Sequence, residues 1–317
     1  MTTTETIKSG PASKGNGFTY EGALQDALKI HWKVEDVLAP NETLDFRRPF
    51  LPESLAGTQS IAVLSPAEQL HLNHIRGKTY LYLFGFVEEF ILPFVLDQAR
   101  ESVHGSNART RSLLTFAEEE AKHIDLFRRF DQELDRHLAT KVELIGPAEA
   151  VAQQVLAHGR LGIALTILHL EWLTQRHYLE SVKTDESIDP KFASLLRHHW
   201  QEEAQHAKLD TLLVHELASK ASPSEIERGF DDYLKIAGIL DGGLVAQVDH
   251  DADALERLAK RKFSPPDRVG IVAAQVRSYR HTFLVLGARH PNFVETLRSL
   301  SESGARRVEK VVETLAS

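Results

Sequence analysis

Two similar pentapeptides supply the side chains best suited to chemistry, Glu119-Glu120-Ala121-Lys122-His123 and Glu202-Glu203-Ala204-Gln205-His206. In each of them a glutamate precedes a histidine by three residues, which places both side chains on one face of a helix. Carboxylate oxygens and imidazole nitrogens on a common face are typical ligands of transition metals. The pentapeptides lie 83 residues apart, and this repeat predicts two copies of one helical hairpin.

The same shift of 83 residues aligns two further glutamates, Glu88 and Glu171, each of which interrupts a strongly apolar segment. The neighbouring Glu89 is the alternative to Glu88. The register of the repeat favours Glu88, but an aromatic residue, Phe90, follows Glu89 just as Trp172 follows Glu171. The first of the two hairpins therefore carries a Glu ligand at position 88 or 89.

Hairpin geometry brings these glutamates to one level. In both hairpins the first glutamate lies about 17 residues before the turn and the second about 15 residues after it, so a rise of ~1.5 Å per residue gives them similar heights. Four buried carboxylates need charge compensation, which two divalent cations would supply. Glu and His ligands inside a four-helix bundle define the di-metal carboxylate sites of ferritin-like proteins.

The elements that position these residues are all helical, because no segment shows convincing strand alternation. Ser65-Pro66-Ala67-Glu68 has the pattern of a helix start, and the long helix that begins there is predicted to end near Ser102. A second long helix is predicted to end near Leu138, a third to cover about Arg160 to Val182, and a fourth to end near Lys220. A short helix is expected around Tyr20 to Trp32. The predicted organisation is a disordered tail (1–18), a helix and extended arm (19–64), a four-helix di-metal bundle (65–220) and accessory helices packed on it (221–317).

Composition narrows the classes of partner and cofactor. The net charge of −8, without a basic run, argues against nucleic acid and anionic membranes as partners. The chain has no cysteine, which excludes disulfides, thiolate metal sites and Cys nucleophiles. The start of the chain has no apolar core of signal-peptide length, and the most apolar stretch, residues 81–96, is shorter than a membrane span. We therefore expect a cytoplasmic protein.

Residues Ser65 to Lys220 resemble the ferritin-like diiron superfamily. More narrowly, His199-Trp-Gln-Glu-Glu203-Ala-Gln-His206 is similar to the His-x-x-x-Glu-x-x-His helix of the p-aminobenzoate N-oxygenase family, in which the additional histidine is a third imidazole ligand. The resemblance implies a ferritin-like four-helix bundle with additional N- and C-terminal helices, and two iron ions, with Mn/Fe as the alternative. The predicted metal ligands are Glu88, Glu120, His123, Glu171, His199, Glu203 and His206.

The function implied is a non-haem diiron oxygenase that activates O₂ to oxidise a small organic substrate, with an amine as one candidate. No catalytic residue beyond the metal ligands is assigned. Partners would be O₂, the substrate and an electron-donating reductase or ferredoxin, and a homodimer is an open alternative to a monomer. A ferroxidase that handles iron without an organic substrate is the rival function. A ribonucleotide-reductase small subunit is disfavoured, because Phe127 stands where that family has its radical tyrosine.

Two local assignments stay open. Glu119 and Glu202 each precede a predicted ligand, and they either orient a metal-bound imidazole or face solvent. His198 lies beside His199 and is expected to point about 100° away around the helix.

Overall fold

The protein was analysed as a computed structural model that describes residues 17–317, and in this range it contains helices and no strand. The predicted all-α fold is therefore confirmed. Residues 1–16 of the predicted tail lie outside the described residues.

Four long helices form the body of the fold: α4 (Pro66–Ser102), α5 (Asn107–His137), α7 (Arg160–Arg176) and α8 (Pro190–Ser219). Helix α4 packs on α5 and α7 packs on α8, so the two hairpins of the sequence repeat are present. The crossover helix α6 (Ala148–Leu156) joins them and packs on α4. Helix α7 continues into a π-helical segment, His177–Val182, which sequence periodicity did not indicate.

Further helices flank this bundle on both sides in the chain. The N-terminal ones are α1 (Tyr20–Ala27), α2 (Val34–Val37) and α3 (Glu53–Ala56). The C-terminal ones are α9 (Pro223–Ala259), α10 (Pro265–Arg280), a π-helical segment (His281–Val285), α11 (Leu286–Ala288), α12 (Pro291–Leu300) and α13 (Glu302–Leu315). Helix α9 packs on both α4 and α7, and therefore closes the bundle on the side away from α8.

The starts of the bundle helices follow from local side-chain chemistry. Ser65 and Glu68 form the predicted capping box at α4, with the Ser65 backbone N–H donating to the Glu68 carboxylate at 2.8 Å. Ser106 caps α5, and Asp189 caps α8 by accepting from the Phe192 backbone N–H at 2.8 Å. These caps fix where each helix begins, and with it the height of each glutamate.

The first helix is shorter than predicted and ends at Ala27 instead of Trp32. The backbone N–H groups of Lys29 and Ile30 turn back to the carbonyls of Asp26 and Ala27, which tightens and closes the last turn. The released segment carries Trp32 into the second of the two larger apolar clusters among the described residues.

The two apolar clusters meet at the level of the glutamates. Each of the helices α4, α5 and α7 passes from one cluster to the other near its glutamate. The flanking residues in the two clusters are Phe90 and Phe84 on α4, Phe116 and Phe127 on α5, and Leu168 and Leu173 on α7. The carboxylates therefore lie between two layers of apolar side chains.

Helix α4 is long and apolar enough to cross a membrane by length and composition alone. In this fold, however, 67% of its most apolar window is buried inside the protein. Packing of the core therefore accounts for its apolar character.

Candidate metal centre

All seven predicted ligands converge between the four bundle helices. Glu88 comes from α4, Glu120 and His123 from α5, Glu171 from α7, and the remaining three from α8. No member is more than 3% exposed; the full set is Glu88, Glu120, His123, Glu171, His199, Glu203 and His206.

Their donor atoms form two adjacent groups, in each of which four atoms lie within 4.8 Å of one another. The first, which we call the Glu88 group, comprises Glu88, His123, His199 and Glu203. The second, the Glu120 group, comprises Glu120, His123, Glu203 and His206. Two neighbouring four-donor groups of this size could hold two metal ions.

Glu203 spans the two groups with its two carboxylate oxygens. Oε1 lies 2.5 Å from His199 Nε2 and 3.1 Å from His123 Nδ1, and Oε2 lies 2.8 Å from His206 Nδ1. Burial opposes ionisation of Glu203, yet the surrounding His199 and His206 hold its pKa well below the usual range. Glu203 is therefore the anionic centre of the cluster.

The other three glutamates resist ionisation in the metal-free protein. Burial raises the pKa of Glu88 and Glu171 well above the usual range, and the neighbouring carboxylates Glu120 and Glu203, respectively, raise these pKa values further. Burial also raises the pKa of Glu120. Glu171 shares a hydrogen bond with Glu203, so one proton lies between these two carboxylates.

The donor set fits two divalent cations. Glu88 Oε2, both oxygens of Glu120 and His123 Nδ1 are buried without a hydrogen-bond partner, and such groups are costly unless something else satisfies them. A cation in each group would supply the missing partner and offset the carboxylate charge. Mixed oxygen and imidazole ligation suits iron or manganese, as in the di-metal sites of helical bundles.

Two buried carboxylates hold the ligand imidazoles from behind, each across the α5 and α8 interface. Glu202 Oε2 of α8 lies 2.8 Å from Nε2 of His123, and Glu119 Oε2 of α5 lies 2.9 Å from Nε2 of His206. Each carboxylate fixes the tautomer of its partner, so that Nδ1 faces the cluster. Both residues therefore hold an imidazole of the cluster, and the solvent-facing alternative is wrong.

Glu202 belongs to a larger network that reaches the surface. Lys122 Nζ lies 2.5 Å from the second carboxylate oxygen of Glu202. Burial lowers the pKa of His123, but Glu202 and Glu203 outweigh this effect and raise that pKa to about 9. Trp32 from the N-terminal arm stacks on the His123 ring at 6.1 Å and 9°, and Lys122 lies 4.3 Å above the same indole. The arm therefore contributes directly to the position of His123.

The structure separates the two pairs of adjacent candidates. Glu88 points into the cluster, whereas Glu89 lies at the surface with its carboxylate 3.1 Å from Arg128. His199 lies in the cluster, whereas His198 bonds the Ser194 carbonyl at 2.7 Å and contacts Trp32. Helix periodicity explains both outcomes, because adjacent residues differ by about 100° in direction.

Sequence reasoning missed Trp32, Lys122 and Asp210. Asp210 is fully buried, neither of its oxygens has a hydrogen-bond partner, and burial raises its pKa well above the usual range. Its position four residues after His206, on the same helix face, was a usable signal. Trp32 offered none, since an arm residue reaches the cluster only through the tertiary fold.

Comparison with known proteins finds matches among solved structures. No protein-family model matches the chain, and no curated protein sequence matches it. Among solved structures, the chain is similar to a tyrosine-to-phenylalanine variant of an R2-like ligand-binding oxidase with aerobically reconstituted Mn/Fe cofactor, with 13% identity, a TM-score of 0.47, and coverage of 84% of this chain and 93% of that chain.

Two further structures of R2-like ligand-binding oxidase give similar values. One, with aerobically reconstituted Mn/Fe cofactor after a long soak, has 13% identity, a TM-score of 0.47 and coverage of 84% of this chain and 92% of that chain. The other, a glycine-to-leucine variant with a non-activated Mn/Mn cofactor, has 15% identity, a TM-score of 0.44 and the same coverage. At this identity and TM-score, the likeness carries no conclusion about the chemistry of this chain.

Proposed function

We propose that this protein is a non-haem di-metal oxygenase, which uses O₂ to oxidise a small organic substrate. The observation that carries the proposal is the pair of buried four-donor groups that share Glu203. The seven side chains would hold two iron ions, or one manganese and one iron. When bound and reduced, such a pair supplies electrons to O₂ and thereby the oxidising power for the substrate.

The side chains of this chain have separate tasks in that function. Glu203 would contribute to both metal positions, and Glu119 and Glu202 would hold two of the imidazoles in the orientation needed for binding. The two apolar clusters keep bulk water away, which protects an oxidising centre from side reactions. A carboxylate such as Glu171, which favours its protonated form in the metal-free protein, releases that proton when a cation binds.

The finer assignment to the N-oxygenase type rests on His199. Its Nε2 lies 3.0 Å from Glu88 Oε1 and 2.5 Å from Glu203 Oε1. Both groups contain two imidazoles because His123 belongs to each of them, but its Nδ1 can bind only one ion. We propose that His199 is the third histidine ligand, and that the two metals are inequivalent because three imidazoles divide unequally between them.

Substrate oxidation at such a centre requires external electrons, so we also propose a reductase or ferredoxin as partner. A cytoplasmic location and a homodimeric state stay predictions from the sequence.

Adjacent glutamates provide a matched test of the proposal. Glu88→Gln and Glu89→Gln make the same chemical change at neighbouring positions, but only Glu88 lies in the cluster. Wild type, Glu88→Gln and Glu89→Gln are loaded with Fe(II) without oxygen, and O₂ uptake is followed with an oxygen electrode. We expect uptake by wild type and by Glu89→Gln and strongly reduced uptake by Glu88→Gln.

Other results would contradict the proposal. Equal loss of uptake in both variants, or none in either, would show that the cluster is not the reacting site. Uptake that continues only while Fe(II) is added, with ferric iron accumulating well beyond two ions per chain, would instead identify an iron-handling ferroxidase.

A further inference from the structure

An apolar cavity lies behind α4 and α7, beside the metal cluster. Its inner wall includes Val87 and Leu170, the residues that directly precede Glu88 and Glu171, and Phe84. The Phe84 ring also packs edge-on against the His199 ring, with 5.4 Å between the ring centroids. The inner end of the cavity is therefore separated from the predicted ligands by a single layer of apolar side chains.

The cavity is small for the number of elements that line it. Its walls come from α4, α6, α7, α9, the segment before α6 and the π-helical segment after α10, yet its volume is only about 70 Å³. We call this cavity the slot, because so small a volume has room for a slim chain and not for a bulky ring system. Its inner lining residues are buried, whereas Ile145, Val151 and Ile239 at the outer end are half-buried. The slot therefore opens to solvent between α6 and α9.

The lining contains no charged or hydrogen-bonding side chain. A protonated amine or a carboxylate inside it would lose its hydration without gaining a partner. A hydrocarbon group gains free energy from the same transfer. The chemistry of the slot is therefore matched to a neutral alkyl chain whose polar end stays at the mouth.

Helix α9 has an unusual glycine pair, Gly242 and Gly243, in the middle of its 37 residues. Glycine weakens a helix interior, and neither residue has a positive φ that would require it. Gly243 lines the slot, and a Cβ there would meet Ile145 Cδ1 at 3.0 Å. A Cβ on Gly242 would meet nothing within 4 Å. A side chain at position 243 would therefore crowd Ile145 at the mouth, and Gly242 is the matched control.

We propose that this slot binds the straight hydrocarbon chain of the substrate, with entry past Gly243. The proposal deepens and rests on the proposed oxygenase function, because it assigns the substrate class of the same metal centre. In this proposal the buried part of the substrate is a neutral alkyl chain and not a charged amine.

The first experiment measures binding without using the metals. The fluorescent probe 11-(dansylamino)undecanoic acid is titrated into the purified protein, both as isolated and after metal removal, and is then displaced with 1-decanol or with 1-adamantanol. We expect binding in both states and displacement by the linear alcohol only. Gly243→Leu should weaken probe binding at least tenfold and Gly242→Leu should leave it unchanged, with Gly243→Ala between them.

The variants must be shown to fold before their probe binding is compared. Circular dichroism and thermal melting of the variants establish that they are folded, and both leucine substitutions replace glycine by a better helix former. Equal effects of Gly242→Leu and Gly243→Leu, or equal displacement by both alcohols, would overturn the proposed slot.

A second arm separates this proposal from the oxygenase function. O₂ uptake by the iron-loaded, chemically reduced protein is measured with and without 1-decanol. Acceleration by the alcohol in wild type and Gly242→Leu, but not in Gly243→Leu, supports the slot as the substrate site. Uptake that is unaffected by the alcohol in all three proteins overturns the slot but leaves the oxygenase function intact, whereas absence of any uptake in wild type contradicts the oxygenase function itself.

Discussion

Removal of the carboxylate behind one imidazole should weaken one metal position more than the other. In Glu202→Leu the His123 Nε2–H loses its acceptor, which lies 2.8 Å away in a fully buried position. An unsatisfied buried donor costs about 1–3 kcal/mol. If the unsatisfied donor destabilises the imidazole orientation that binds metal, the affinity for that metal drops about 10- to 100-fold, as is typical when the carboxylate behind a ligating histidine is removed. This corresponds to about 1.4–2.8 kcal/mol.

The assay is an oxygen-free calorimetric titration of metal-free protein with Mn(II). Wild type should bind two equivalents, and Glu202→Leu should retain one of them at near wild-type affinity, because His123 Nδ1 can bind only one of the two ions. Glu119→Leu, which removes the acceptor of His206 Nε2 at 2.9 Å, should show the same pattern at the Glu120 group. Glu202→Gln should recover most of the lost affinity, because its amide oxygen still accepts from His123. Unchanged affinities in both leucine variants, or a glutamine variant as weak as the leucine one, would refute the orienting role.

Two further changes have expected outcomes. His199→Ala should keep the fold and weaken metal binding at one position in the same Mn(II) titration. His198→Ala should change metal binding little, because His198 bonds the Ser194 carbonyl outside the cluster. Equal metal binding by the two variants would remove His199 from the ligand set. Burial raises the pKa of Asp251 to about 6, although Tyr279, Gln247, Arg76 and Thr79 around it act in the opposite direction. Since the folded-state pKa lies above the unfolded value of 3.8, ionisation of Asp251 destabilises the fold, and this cost disappears as pH falls from about 6 to about 4. Relative to Asp251→Asn, the wild type should therefore lose about 2 kcal/mol of unfolding free energy between pH 4 and pH 7, as measured by urea denaturation; a difference that does not change with pH would contradict the assignment.

The bundle and the positions of its ligands could be predicted because local signals agreed with one another. The capping box at Ser65, the glutamates in apolar helices and the repeated pentapeptide all specify helix start, height and face. The 83-residue register favoured Glu88 but left Glu89 as an alternative, and the structure brings Glu88 into the cluster.

The remaining features depend on contacts between segments that are distant in sequence. Trp32 reaches His123 because the arm folds back over α5, and nothing in the arm's own sequence encodes that contact. The crossed pairing of Glu119 and Glu202 requires the relative height of α5 and α8, which helix periodicity alone does not give. The slot beside the cluster requires the position of α9, which lies outside the segment that resembles ferritin-like proteins.

The occupancy and position of bound metal ions would show directly whether the Glu and His cluster is a di-metal site. Protein loaded with iron is crystallised, and anomalous scattering is recorded on both sides of the iron absorption edge. We expect two iron peaks per chain, one within the Glu88 group and one within the Glu120 group, with Glu203 between them. A single ion, or ligand carboxylates turned away to solvent, would contradict it.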